Sequence, residues 1–344
     1  MHITLSRPKL GDIRWPEGVE DEGGICIDRV KELVAKWRDF DFAKHERELN
    51  GYPHFLERGI HFIHLSASHT SAMPLLLLHG WPGSFIEFLR VAPLLADRFH
   101  LVIPSLPGYG FSDKPREAGM SNSRIADLML GLMQHLGYAR FAVQGGDWGA
   151  GVGMWMAIKS PQRVAAIHLN YIPGSYSPPP GPPPNEEEKQ FERDVATWID
   201  HHYAYGRVAR TRPLTLAYGL NDSPVALLAW IAEKFDEWCD PATRVDDETI
   251  LLNTTIYWTT QTIYSSMRLY LESAKTPLAL RERVPVPTGI AHFAREEPFP
   301  PRSWIERGYN VQHWSDFPRG GHFAALEQPR ELANDVAAFL SSRA

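Results

Sequence analysis

The sequence predicts an α/β protein with a mostly parallel sheet, helices on both of its faces, and a helical segment inserted late in the chain. Three observations predict this architecture. Short apolar runs alternate with helical stretches between residues 60 and 169, and strands that are apolar throughout are typical of a parallel sheet covered on both faces. A proline-rich run and an aromatic-rich helical stretch then interrupt the alternation. The alternation resumes near residue 286, so one interrupted domain explains the pattern better than two successive domains.

The elements follow an irregular leader, residues 1–55, which contains one predicted helix at 27–37. We expect strands at 60–65, 74–78, 100–103, 141–143, 164–169, 286–290 and 311–317. We expect helices at 84–95, at 121–136 and at 329–340, and a further helix that opens at the turn 145–149.

The inserted segment begins with six prolines among residues 177–184. Proline lacks an N–H and cannot continue a helix or a central strand, so this run predicts a stiff, extended connection. The three glutamates at 186–188 are expected to be a solvated helix start. We therefore predict an N-terminal segment at 1–55, a first core part at 56–175, a helical cap at 176–276 and a second core part at 277–344.

Composition excludes several classes of function. The chain has 344 residues, is 44% hydrophobic and carries a formal net charge of −6, which argues against nucleic acid as the main partner. Cys26 and Cys239 fit neither a disulfide framework nor a zinc motif. The N-terminus has no signal-peptide core, and the longest aliphatic run, 75–78, is far short of the roughly 20 residues of a membrane span. We expect a soluble, cytoplasmic protein without a metal or another cofactor.

The segment Gly145-Gly146-Asp147-Trp148-Gly149 joins an apolar strand directly to a helix. Such a turn is tight, needs small flanking residues, and presents its central side chain at the edge of the sheet. A carboxylate at this position can displace at an sp³ carbon and form an alkyl ester. An aspartate that caps the helix is the alternative, and the flanking glycines favour a nucleophile that acts on epoxides or alkyl halides.

Two further segments supply partners for Asp147. His79-Gly80-Trp81-Pro82 ends an earlier strand, where the backbone N–H groups of Trp81 and Trp148 would form an oxyanion hole. His322, in Gly320-Gly321-His322-Phe323, fits the general base that activates water, and Glu296 would orient its ring. The order Asp147, Glu296, His322 is the nucleophile–acid–base order of α/β-hydrolases.

Many segments together resemble one family, the epoxide hydrolases of the α/β-hydrolase fold, and within it the microsomal-type group with an N-terminal wrapping segment. Those in the first half are Trp37-Arg38-Asp39-Phe40-Asp41, Glu48-Leu49-Asn50, Ile60-His61-Phe62-Ile63-His64, His79-Gly80-Trp81-Pro82-Gly83-Ser84, Pro107-Gly108-Tyr109-Gly110-Phe111-Ser112 and Gly145-Gly146-Asp147-Trp148-Gly149. Those in the second half are Leu220-Asn221-Asp222-Ser223-Pro224, Ile256-Tyr257-Trp258-Thr259-Thr260 and Arg319-Gly320-Gly321-His322-Phe323-Ala324-Ala325. The leader is short for this group, so the resemblance is not extended to membrane attachment.

The resemblance implies two cap tyrosines that donate hydrogen bonds to the epoxide oxygen. Tyr205 and Tyr270 match their positions, with Tyr257 and Tyr264 as reserve candidates. A phenol can donate to the developing alkoxide without being ionised at neutral pH. The resemblance also selects Glu296 as the acid, while the adjacent Glu297 stays open.

The expected reaction is conversion of an epoxide to a vicinal diol through an alkyl ester on Asp147. A haloalkane dehalogenase is the alternative, because it shares the nucleophile, the base and a tryptophan after the nucleophile. A noncatalytic ligand-binding homologue is a third interpretation. The aromatic-rich cap indicates a bulky, apolar epoxide. The identity of the epoxide and the oligomeric state, with a homo-oligomer as one possibility, stay open.

Overall fold

An eight-stranded sheet organises the protein. The computed structural model describes residues 1–17, 23–172, 176–276 and 283–341. The strands lie in the order β1-β2-β4-β3-β5-β6-β7-β8. Their bounds are β1 His54–Glu57, β2 Ile60–Leu65, β3 Met73–Leu78, β4 Phe99–Pro104, β5 Phe141–Gly145, β6 Val164–Leu169, β7 Val284–Phe293 and β8 Tyr309–Phe317. Strands β3 to β8 are parallel, and β1 and β2 join them antiparallel at one edge.

The antiparallel edge begins with a hairpin that the sequence analysis did not predict. Arg58 and Gly59 connect β1 to β2, and both have positive φ, 49° and 77°. Two successive residues with positive φ form the turn that suits a two-residue hairpin. The apolar run at 60–65 predicted a strand, but it carried no information on the direction of that strand.

The described part of the N-terminal segment contains two helices, α1 Ile27–Arg38 and α2 Phe42–Asn50, although only the first was predicted. Asp41 caps α2 by accepting a hydrogen bond from the Lys44 N–H. Arg29 of α1 forms ion pairs with Asp236 and Asp247, which lie in the inserted segment. The N-terminal segment thus holds the later insertion against the rest of the protein.

The prediction of one continuous helix at 84–95 is wrong. The chain makes a 3₁₀ helix, Phe85–Leu89, and then the short helix α3 Ala92–Leu95. Pro93 lies in the first turn of α3, and its missing N–H interrupts the hydrogen-bond ladder of a continuous helix. The other core helices are α4 Asn122–His135 and α5 Asp147–Lys159.

Six helices lie between β6 and β7 within the described residues, and we call them the cap. They are α6 Glu186–His201, α7 Ala204–Thr211, α8 Pro213–Asp222, α9 Pro224–Trp238, α10 Asp247–Thr260 and α11 Ile263–Ser273. The proline run before α6 is irregular, as expected. The predicted cap limits, 176 and 276, adjoin residues 173–175 and 277–282, which lie outside the described residues. Three more helices, α12 Arg302–Gly308, α13 Ala324–Glu327 and α14 Pro329–Leu340, complete the core.

One expectation about the start of the cap is corrected. Glu186 and Glu187 are exposed, but Glu188 is fully buried. Its carboxylate closes a capping box with Asn185 and forms an ion pair with Arg307 of α12. A buried carboxylate requires such a partner, because desolvation of an unpaired charge is costly.

Candidate active site

The candidate residues gather where the parallel strands end. Asp147 follows β5, Trp81 follows β3, Glu296 follows β7 and His322 follows β8. The carboxyl ends of parallel strands meet at one edge of a sheet, which is where ligands bind in α/β proteins. The cap helices lie between β6 and β7 in the chain and contribute the opposite wall of the cavity at this edge.

Asp147 stands in a strained turn between β5 and α5. Its φ is +44°, in the left-handed region that side chains rarely adopt. A Cβ on Gly149 would lie 2.0 Å from the Leu78 carbonyl oxygen, and a Cβ on Gly145 would lie 2.6 Å from the Gly149 carbonyl carbon. Only glycine fits at both positions, so the glycines allow the backbone path that raises the Asp147 side chain above the sheet.

A backbone donor holds the Asp147 carboxylate. The Trp81 N–H donates to Asp147 Oδ1 at 2.8 Å. Gly80 permits this approach, because a Cβ there would lie 2.2 Å from the same oxygen. The Trp148 N–H is a first-turn donor of α5, which a helix cannot satisfy internally. One backbone donor, the Trp81 N–H, thus contacts the carboxylate, and the Trp148 N–H belongs to the first turn of the helix that Asp147 begins.

The loop that carries Trp81 is braced from several sides. His79 is buried, donates to the Gly80 carbonyl oxygen and accepts from the Leu106 N–H. Burial lowers the pKa of His79 to about 4, so the ring is neutral and keeps these roles. From α10, Asn253 donates to the carbonyl oxygen of Pro82, which follows a cis peptide bond.

The reserve tyrosines have other partners. The Tyr257 hydroxyl donates to the Gly83 carbonyl oxygen at 2.9 Å, and the Tyr264 hydroxyl accepts from Arg268 at 2.8 Å. Tyr257 thus braces the loop that carries Trp81, while Tyr264 belongs to a charged network on α11.

The histidine lies between two carboxylates. His322 Nδ1 lies 2.9 Å from Glu296 Oε2, and His322 Nε2 lies 3.6 Å from Asp147 Oδ2. The first distance is a hydrogen bond and the second is an ion-pair contact. Glu296 is buried, while the adjacent Glu297 is exposed along the same cavity. The geometry pairs Glu296 with the imidazole.

Charge decides the protonation of the histidine. Burial by itself lowers the pKa of His322, but the charges of Glu296 and Asp147 outweigh it and raise that pKa well above its ordinary value. In the resting protein the ring is therefore an imidazolium between two carboxylates. If Asp147 lost its charge, one cause of the raised pKa would disappear.

Glu327 holds the histidine loop and was missed by the sequence analysis. Its two oxygens accept hydrogen bonds from the backbone N–H groups of Gly321, Phe323 and Asp240 at 2.8–3.0 Å. Burial raises the pKa of Glu327 to about 7, against the effect of these donors. Asp240 follows the cap helix α9, so one carboxylate ties the histidine loop to the cap. A glutamate directly after the apolar run 323–326 was the available signal.

Tyr205 and Tyr270 lie together above the site. Their ring centroids are 6.1 Å apart. Tyr205 stacks on Trp81 at 5.4 Å, and Tyr270 meets the edge of Trp148 at 4.6 Å. Burial raises the pKa of both phenols well above the ordinary value. Both hydroxyls therefore stay protonated at neutral pH and can donate hydrogen bonds.

A cavity of about 710 Å³ connects these groups. Asp147, His322, Tyr205 and Tyr270 line it, and aromatic side chains supply much of the remaining wall, namely Trp148, Trp155, Tyr171, Trp198, Tyr203 and Trp238. Trp238 is one of the residues that the sequence analysis missed. Its ring centroid is 5.0 Å from that of His322, and its carbonyl oxygen accepts the His322 N–H.

The described residues contain neither a cluster of metal ligands nor a helix suited to a membrane. No group of three or more histidine, cysteine, aspartate or glutamate side chains is arranged to hold a metal ion in the described part of the chain. Among the helices of that same part, none has the length and apolar character needed to cross a membrane.

Comparison with known proteins confirms the predicted family and fold. The family model "Epoxide hydrolase N terminus" matches residues 2–88, and the model "alpha/beta hydrolase fold" matches residues 73–218. Epoxide hydrolase 1 of Oryctolagus cuniculus is 36% identical, with 92% of this chain and 80% of that protein covered. Juvenile hormone epoxide hydrolase 1 of Ctenocephalides felis is 34% identical, with 95% and 81% covered.

Solved structures agree with the sequence relatives. The structure of Aspergillus niger epoxide hydrolase matches with a TM-score of 0.88 at 33% identity and covers 99% of this chain and 96% of that one. Juvenile hormone epoxide hydrolase from Bombyx mori matches with a TM-score of 0.81 at 32% identity, over 96% and 88% of the two chains. With a carboxylate on the sharp turn and relatives of this similarity along nearly its whole length, the chain belongs to the epoxide hydrolase family of α/β-hydrolase-fold enzymes.

Proposed function

We propose that Asp147 opens the epoxide by direct attack and that His322 then drives hydrolysis of the resulting ester. The observation that carries this proposal is the line of contacts from Trp81 through Asp147 and His322 to Glu296, at 2.8, 3.6 and 2.9 Å. In this arrangement Asp147 Oδ2 faces His322, and Asp147 Oδ1 accepts the hydrogen bond from the Trp81 N–H. Such an arrangement suits nucleophilic catalysis in two steps.

In the first step, Asp147 Oδ2 forms a bond to an epoxide carbon while the bond from that carbon to the epoxide oxygen breaks. The oxygen develops negative charge and takes a proton from Tyr205 or Tyr270. Both tyrosines line the cavity with Asp147. Their raised pKa values mean that a proton is present for donation at neutral pH.

In the second step, water attacks the ester carbonyl carbon of Asp147. Alkylation has removed the charge of Asp147, one of the causes that hold the pKa of His322 up. His322 can then give its proton to the tyrosinate left by the first step and act as a base. Glu296 stabilises the imidazolium that re-forms, and the backbone donors of Trp81 and Trp148 stabilise the oxyanion.

We infer that the substrate is a bulky, apolar epoxide. The cavity volume of about 710 Å³ and its aromatic lining support this inference. A cytoplasmic location stays a prediction, which rests on the two widely separated cysteines of the sequence. The division at residues 55, 175 and 276, a homo-oligomeric state and the absence of a nucleic-acid partner stay predictions.

Single turnover in heavy-oxygen water tests the mechanism. With excess enzyme, we expect the new oxygen of the first-formed diol to come from Asp147 and not from solvent. In His322→Gln, mass spectrometry should find an alkyl adduct on the peptide that contains Asp147. Direct transfer of solvent oxygen, or an unmodified His322→Gln enzyme that still turns over, would contradict the proposal. Release of halide from chloroalkanes without turnover of styrene oxide would instead favour the dehalogenase alternative.

A further inference from the structure

A second, much smaller cavity lies next to the same reacting groups. It has a volume of about 10 Å³, and Asp147 and His322 line both this cavity and the large one. A polar space of this size has room for the centre of about one water molecule. In the proposed function the large cavity holds the alkyl group, and the small cavity offers a separate place for water beside Asp147 and His322.

Glu87 supplies a carboxyl group to this small cavity. It lies on the 3₁₀ helix Phe85–Leu89, directly after the loop that carries Trp81. A Cβ on Gly83 would lie 1.5 Å from Glu87 Oε1, so the carboxyl group packs directly over the Gly83 backbone. Glycine at position 83 therefore permits this placement of the carboxyl group.

The electrostatic surroundings of Glu87 link it to the chemistry. Burial and the charge of Asp147 raise the pKa of Glu87 to about 8, while His322 and a hydrogen bond from the Ser84 N–H oppose this rise. The charges of Asp147 and His322 therefore both act on Glu87, which places its carboxyl group within the electrostatic reach of the two groups that carry out the second step.

We propose that Glu87 holds the water molecule that hydrolyses the Asp147 ester, and so acts as a positioning residue for the second step. This inference rests on the proposed function. The water donates one hydrogen to a Glu87 carboxyl oxygen and the other to His322 Nε2. Its lone pair is then free to approach the ester carbon, which lies on the wall of the same cavity.

The step balances without any further reactant. The water oxygen bonds to the carbonyl carbon of Asp147, its proton goes to His322 Nε2, and the carbonyl oxygen carries the negative charge. The bond from the carbonyl carbon to the alkyl oxygen then breaks, and that oxygen takes the proton from His322. Glu87 gives and takes no net proton, and its contribution is the orientation of the water.

Transient kinetics of Glu87→Gln and Glu87→Ala test this inference. We expect the rate of ester formation to stay within about threefold of the unaltered enzyme, because Glu87 does not line the large cavity. The rate of ester hydrolysis should fall roughly 10- to 100-fold in Glu87→Ala and less in Glu87→Gln, which retains an acceptor oxygen. The adduct on Asp147 should accumulate, and kcat and KM should fall together.

Tyr257→Phe is the matched control, since it loosens the same loop at Gly83 and leaves the carboxyl group in place. We expect this variant to slow both steps by the same small factor. A defect in Tyr257→Phe confined to hydrolysis, or equal slowing of both steps in Glu87→Ala, would overturn the inference. An adduct that breaks down at the normal rate in Glu87→Ala would do the same. If the unaltered enzyme forms no adduct at all, the proposed function fails as well.

Discussion

Replacement of Glu296 by glutamine tests the pairing on which the second step depends. Glutamine has nearly the same shape and can still accept a hydrogen bond from His322 Nδ1, which now lies 2.9 Å from the carboxylate. The change therefore removes a charge and little else. The adjacent Glu297 is exposed, so Glu297→Gln provides a matched control for the same change one residue later.

The magnitude follows from the geometry. A charge roughly 4 Å from the centre of the imidazolium contributes about 4 kcal/mol at an effective dielectric constant of about 20. The neutral hydrogen bond that glutamine keeps is worth about 1 kcal/mol. The difference of about 3 kcal/mol predicts roughly a hundredfold loss in the rate of ester hydrolysis, because about 1.4 kcal/mol corresponds to a factor of ten.

Stopped-flow tryptophan fluorescence can follow both steps, since Trp148 adjoins the nucleophile and its ring lines the cavity. We expect Glu296→Gln to form the ester at near the normal rate and to accumulate it, while Glu297→Gln stays within about threefold of the unaltered enzyme in both steps. Normal hydrolysis in Glu296→Gln would refute the reasoning, and so would a hydrolysis defect found only in Glu297→Gln.

Three further outcomes are expected. Gly80→Ala should lower kcat/KM by roughly a hundredfold or more, because its Cβ would lie 2.2 Å from Asp147 Oδ1 and must displace the nucleophile. The control is Gly131→Ala, which has open space at its Cβ and should leave the kinetics unchanged. Glu327→Gln should lower the free energy of unfolding in urea by about 1–3 kcal/mol, since the amide nitrogen would face a backbone N–H, and near-normal stability would contradict this. The raised pKa of His322 contributes stability that is complete below a pH of about 6.5 and is lost as the pH rises through the pKa of His322 in the folded protein. The free energy of unfolding of His322→Gln should therefore fall less between pH 7 and pH 10 than that of the unaltered enzyme.

The nucleophile could be predicted because its requirements are local. A strand, a tight turn and a helix start lie within a few residues of Asp147, and the glycines at 145 and 149 mark the sites where a Cβ has no room. Sterics within so short a segment are the same whatever surrounds it. The same holds for the strands β3 to β6, whose apolar runs predicted their positions closely.

The hydrogen bonds that hold the histidine loop against the cap could not be predicted in this way. Glu327 contacts Asp240, which lies 87 residues earlier, and the His322 N–H donates a hydrogen bond to the Trp238 carbonyl oxygen. Such pairs depend on how the cap packs on the sheet, and each residue has many competing partners in the sequence. The hairpin at Arg58-Gly59 was missed for another reason, since arginine with positive φ is uncommon and gives little warning.

The amino-acid sequence by itself determined the chemistry that is available: a carboxylate on a turn too tight for larger neighbours, and a base later in the chain. Only the tertiary structure decided which groups meet. It buries Glu296 against His322 and leaves Glu297 exposed, and it turns Tyr205 and Tyr270 toward the cavity while Tyr257 braces a loop. The physical reason is that adjacent side chains leave the backbone in different directions, and packing between distant segments selects the direction that leads to a partner.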